Sequence, residues 1–202
     1  MMWPSRESRA AVWFQRANRP GLAYCLLATA ALGYSVVSYL LSVAHALPQP
    51  EPFLRIPDPD YFFWGTFFYA PAIAGSWLLA SGFVYVVSWA LGCRPQFDRL
   101  LTATALATGL GTLGTLLPDL LVTSPLRAWG TISESAWEGS IAAQSGVFFI
   151  FTWFTLIVYL GLFLVTYPLA AREAARLSWW RSIVAGWLGF LVFQGAEYVF
   201  IR

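Results

Sequence analysis

Five stretches of this 202-residue chain run for more than twenty residues with almost no ionisable side chain. A helix needs about 20 residues to cross an apolar core about 30 Å thick, and in lipid it must satisfy its own backbone hydrogen bonds. Residues 21–47, 61–92, 100–122, 141–171 and 179–200 meet that requirement. The fold class read from them is an all-α, polytopic membrane bundle of five transmembrane helices, with residues 1–202 forming one membrane domain. The ionisable groups inside the stretches, His45, Asp119, Arg181 and Glu197, all fall near span ends.

Composition agrees with this reading. Hydrophobic residues make up 58% of the chain and charged residues 11%, against about 25% charged in soluble domains; with a mean hydropathy of +0.63, a soluble enzyme is excluded. All 12 basic residues are arginine and the net charge is only +2, which argues against a nucleic-acid partner. Cys25 and Cys93 stand apart, without metal-ligand spacing, and read as small apolar residues.

The arginines also set a direction. Nine of them (Arg6, Arg9, Arg16, Arg19, Arg94, Arg99, Arg172, Arg176 and Arg181) fall on one side of the five spans. Only Arg55, Arg127 and Arg202 fall on the other, where Glu51, Asp58, Asp60, Glu134 and Glu138 gather. Cytoplasmic loops keep the excess of basic residues, so the amino terminus, with a flank of residues 1–20, is expected in the cytoplasm and the carboxyl terminus outside. The Ala44-His45-Ala46 pattern resembles a signal-peptide cleavage site, but the apolar run before it is longer than a signal core, which favours a first span that stays.

Small residues and prolines mark the expected packing. The third span is rich in threonine, alanine and glycine, with Gly109, Gly111 and Gly114 at its centre, and should be the protein-packed helix. Gly186, Gly189 and Gly195 suggest close contacts for the fifth span. The fourth, with Phe148, Phe149, Phe151, Trp153, Phe154 and Phe163, reads as lipid-facing. Pro71 should disturb the second span. Residues 48–60, with five prolines, read as an extended spacer, and Trp13 and Phe14 suggest a short helix lying on the cytoplasmic leaflet.

Polar groups at membrane depth are candidates for function. His45, Asp119, Gln194 and Glu197 form a possible polar cluster near the outer end, Gln194 and Glu197 being three residues apart on one helix face. No histidine pair, nucleophile motif or metal spacing accompanies them, so neither an enzyme nor a metal or other cofactor is expected. The bland reading is interfacial or helix-to-helix hydrogen bonding.

Residues 84–118, VYVVSWALGCRPQFDRLLTATALATGLGTLGTLLP, resemble the Yip family of five-pass membrane proteins, particularly its small bacterial members. They match that family's aromatic second span, short L-G-x-x-x-x-F-x-x-x-L turn and small-residue third span ending at proline. Residues 153–189, from WFTLIVYLGLFLV into AAREAARLSWWRSIVAGWLG, are similar to its fourth span and basic hairpin. Two departures from the eukaryotic branch stand out: the flank ahead of the first span is residues 1–20 where that branch has a long domain, and its D-L-Y-G-P motif is not found, DPDYFFWG being a faint echo at most. The resemblance implies a non-enzymatic scaffold in a bacterial plasma membrane, whose partners are lipids and another membrane protein or a second copy. Its working parts would be Gly109, Gly111 and Gly114 and the cytoplasmic turn of Arg94, Pro95, Phe97 and Arg99. The alternative is an accessory subunit of a transporter or membrane enzyme complex, using the outer polar cluster.

Overall fold

The computed structural model describes residues 9–43, 60–118, 120 and 147–200. They form α1 (Arg9–Ala17), α2 (Pro20–Val43), α3 (Tyr61–Ala90), α4 (Phe97–Pro118), α5 (Val147–Ala175) and α6 (Trp179–Phe200). Helices α2 to α6 are each long and apolar enough to cross a membrane, so the chain is a five-span helical membrane protein. His45, Asp119, Glu138 and most of the proline-rich connection lie outside the described residues.

Helix ends follow local chemistry. Pro20 opens α2, where its missing N–H is one the first turn leaves unpaired anyway. Gly92 has φ +85°, and past it the chain turns back: its N–H donates to the Trp89 carbonyl at 2.9 Å and that of Cys93 to the Ser88 carbonyl at 3.0 Å. That pair of bonds is the Schellman arrangement, which favours glycine at this position. It ends α3 two residues before the expected boundary. Helix α4 begins at Phe97, three residues early, with Asp98 in its first turn complementing the helix dipole.

The five spans form a closed ring in the order α2, α3, α6, α5, α4, in which α4 lies against α2 and α5, and α3 against α2 and α6. Burial is uneven. In the most apolar window of α4, 67% of residues are buried inside the protein, against 28–39% for the other spans. Lipid is as apolar as leucine, so helix association here rests on close packing and hydrogen bonds rather than on the hydrophobic effect. Small residues on α4 make that packing possible. A Cβ at Gly109 would stand 2.8 Å from the Leu27 backbone nitrogen and 2.9 Å from the Leu26 carbonyl carbon, so α2 approaches α4 closer than any side chain allows.

Three expectations need correction. Helix α5 is not simply lipid-facing: Trp153 and Phe154 are exposed, but Phe163 is fully buried, stacked on Phe190 and Phe193 with ring centroids 4.9 and 5.4 Å apart. The space its ring fills is left by Gly111 of α4, whose missing side chain would collide with it. In α6, Gly186 and Gly189 do make close contacts, whereas Gly195 faces open space. Finally, α1 does not simply rest on the leaflet. Its Trp13 is exposed, but Phe14 is buried in the same apolar core as Ala170, Ala171 and Ala174 of α5.

Pro168 shows how the bundle tolerates a proline at membrane depth. Without an N–H, it leaves the Leu164 carbonyl one turn earlier without its helical donor. Trp187 of α6 donates its Nε1–H to that oxygen at 3.0 Å, and Gly186 beside it brings α6 within reach. Proline, glycine and tryptophan thus form one coupled device across the α5–α6 interface.

Candidate functional site

Threonines on α4 tie it to three neighbouring helices. A threonine in a helix commonly returns its hydroxyl proton to a carbonyl one turn back, which leaves the oxygen free to accept from another helix. Thr104 does this, donating to the Leu100 carbonyl at 2.8 Å while accepting from Trp77 Nε1 of α3 at 3.1 Å; Ser81 of α3 lies at 2.7 Å. One turn later the Thr108 hydroxyl meets the Tyr167 hydroxyl of α5 at 2.9 Å. Next, Thr115 accepts from the Tyr34 hydroxyl of α2 at 2.8 Å and donates to the Thr112 carbonyl. Thr104, Thr108 and Thr112 are buried, and the Thr112 hydroxyl has no hydrogen-bond partner.

The fourth connection joins α5 to α6 and contains Glu197. The Tyr159 hydroxyl is shared between Gln194 Oε1 and Glu197 Oε2, the latter at 3.4 Å. Tyr159 also packs edge-on against Phe163, with centroids 4.7 Å apart. Gln194 and Glu197 therefore turn inward, toward α5, rather than to the lipid headgroups. Of the outer polar cluster, the structure brings these two together; His45 and Asp119 lie outside the described residues. Sequence reading missed Tyr159, although its signal was present: Tyr159, Phe163 and Tyr167 recur every four residues and line one face of α5.

The glycines and the turn singled out in the sequence have separate environments. Gly109 meets α2 backbone and Gly111 the Phe163 ring, while at Gly114 the nearest neighbour is the flexible end of Leu162. All three faces are taken up by the chain's own helices. At the turn Pro95 is buried, whereas Arg94 and Arg99 are exposed, and Phe97 packs edge-on against Tyr85 at 5.5 Å. Among the described residues no group of three His, Cys, Asp or Glu side chains converges as a metal site would require.

The consecutive spans alternate in direction, so the starts of α2, α4 and α6 share one end of the bundle with the ends of α3 and α5. All eight described arginines lie at that end, against the acids Asp98 and Glu173. Arg181 donates from Nη1 to the Leu91 carbonyl at 3.2 Å, tying α6 to the end of α3. The Arg172 guanidinium carbon stands 4.4 Å from the centre of the Trp179 ring, a cation–π stack across the α5–α6 corner.

Fold and interior together define the class: a polytopic α-helical membrane protein with a hydrogen-bonded core. No protein-family model, curated protein or solved structure matches the chain.

Proposed function

We propose that this chain is a non-enzymatic membrane scaffold of the Yip type, seated in a bacterial plasma membrane with its arginine-rich end in the cytoplasm. It acts through lipids and through another membrane protein or a second copy of itself. The observation that carries this reading is how the interior is used: α4, the helix richest in small residues, spends its glycines and most of its hydroxyls on the chain's own α2, α3 and α5. The surfaces left for partners are the outer faces of the ring and its arginine-rich end, as in a body whose work is to hold others. Crosslinking in the native membrane, followed by mass spectrometry of detergent extracts, tests it. Copies of the chain or membrane-remodelling proteins are the expected companions; a stoichiometric transporter or membrane enzyme would overturn it in favour of an accessory subunit.

One observation favours that second reading, the inward turn of Glu197 beside Tyr159. The two readings separate on paired variants. If the group is structural, Tyr159→Phe lowers stability by about 0.5–1.5 kcal/mol, the range of interhelical hydrogen bonds in membranes, and Glu197→Gln, which keeps an acceptor, leaves both the melting temperature and the crosslinking partners unchanged. A Glu197→Gln variant that melts normally but silences the activity of a copurifying complex would establish the accessory role.

A further inference from the structure

We infer that the arginine-rich end holds the phosphate of an anionic phospholipid at Arg172, on the α5–α6 corner. This stands on the membrane fold and this corner alone, independent of the scaffold reading. Three observations converge on it. The Arg172 guanidinium stands over the Trp179 ring, a cation–π contact that restrains it before any ligand arrives. It is half-buried, and its Nη1 is enclosed by protein without an acceptor, which leaves the cation under-compensated; a buried donor on a charged group is costly to leave unpaired. Glu173, its acidic neighbour, projects about 100° further around the helix.

The guanidinium charge is delocalised over a flat fork that matches two phosphate oxygens. Arg172 is only half-buried, so an anion that reaches its accessible part balances the charge delocalised over the whole group. A lipid phosphate suits this corner better than a dissolved one because Trp13, Trp179 and Trp180, 54%, 45% and 73% exposed, stand at the same end. Indole rings in such a ring settle at headgroup level, which sets Arg172 at the depth of lipid phosphates. Nearby, α1 is pinned to α5 and its Arg16 stays exposed, adding positive potential that concentrates anionic lipid over neutral lipid.

The test is native mass spectrometry and thermal melting of the full-length chain in mild detergent, titrated with phosphatidylglycerol, phosphatidylcholine or inorganic phosphate. Phosphatidylglycerol is expected to be retained and to raise the melting temperature, with phosphatidylcholine and inorganic phosphate doing neither. Arg172→Gln should weaken phosphatidylglycerol retention about tenfold or more, the loss of a charge-assisted hydrogen-bonded contact, while Arg19→Gln, an equal loss of charge at an exposed position of the same end, changes it by no more than about fivefold, the effect of diffuse charge. Arg172→Lys keeps the charge without the fork and should fall between, which preserves the test if the glutamine variant does not fold. Equal losses in Arg172→Gln and Arg19→Gln would reduce the effect to diffuse charge and overturn the site. Full retention by Arg172→Gln would overturn it as well, and matching stabilisation by inorganic phosphate would overturn the lipid assignment.

Discussion

Leucine at Gly186 is expected to abolish folded, monodisperse protein. A Cβ at this position would stand 2.6 Å from both the Pro168 Cα and the Tyr167 carbonyl carbon. Those atoms are backbone, so no rotamer change relieves the contact and α5 and α6 must separate. Separation also draws Trp187 away from the Leu164 carbonyl, leaving an oxygen without its donor in a setting where no water replaces it. Overpacking alone costs about 1–3 kcal/mol, and the orphaned carbonyl adds about 1–3 kcal/mol more, a sum comparable to much of a domain's stability. Gly195→Leu, on the same helix but facing open space, serves as the control and should melt close to the native protein. Size-exclusion profiles and thermal melting in detergent read both; a Gly186→Leu protein that melts normally would refute the close α5–α6 approach.

The second large effect is a rescue. Gly111→Leu drives a side chain into the Phe163 ring, which is fully buried and hemmed in by Tyr159, Phe190 and Phe193. Phe163→Ala leaves the opposite fault, a cavity at the junction of α4, α5 and α6, costing about 3–5 kcal/mol by analogy with soluble cores and less in lipid, where only packing is lost. Combined, the leucine occupies part of the space the phenyl ring vacates. The double variant should melt above either single variant, with a coupling of about 1–3 kcal/mol. Strict additivity would mean that the two residues do not share one space.

Much of the outline was legible in the chain. Five spans and the gathering of arginines at one end follow from run length and charge, which act locally or as simple counts, whereas the part Gly92 plays in ending α3 came from its backbone geometry. The Gln194–Glu197 pair was legible as a shared helix face, because i and i+3 positions stack whatever surrounds them. The face those residues would meet was not. Phe163 and Phe154 look alike in the sequence, yet one is at the centre of the bundle and the other is 59% exposed.

The reason is physical. In a soluble helix the apolar stripe marks the core, since water penalises the reverse arrangement. In a bilayer both surroundings are apolar, so hydropathy alone does not tell a lipid-facing phenylalanine from a packed one. Sequence by itself therefore determined that this chain is a five-helix membrane bundle with one arginine-rich end. Only the tertiary structure decided which rings fill the spaces beside the α4 glycines, that Trp187 supplies the donor Pro168 lacks, that Phe14 anchors α1, and that Arg172 lies against Trp179. Each of those depends on a close approach between helices, where shape and hydrogen-bond geometry, rather than polarity, select the partner.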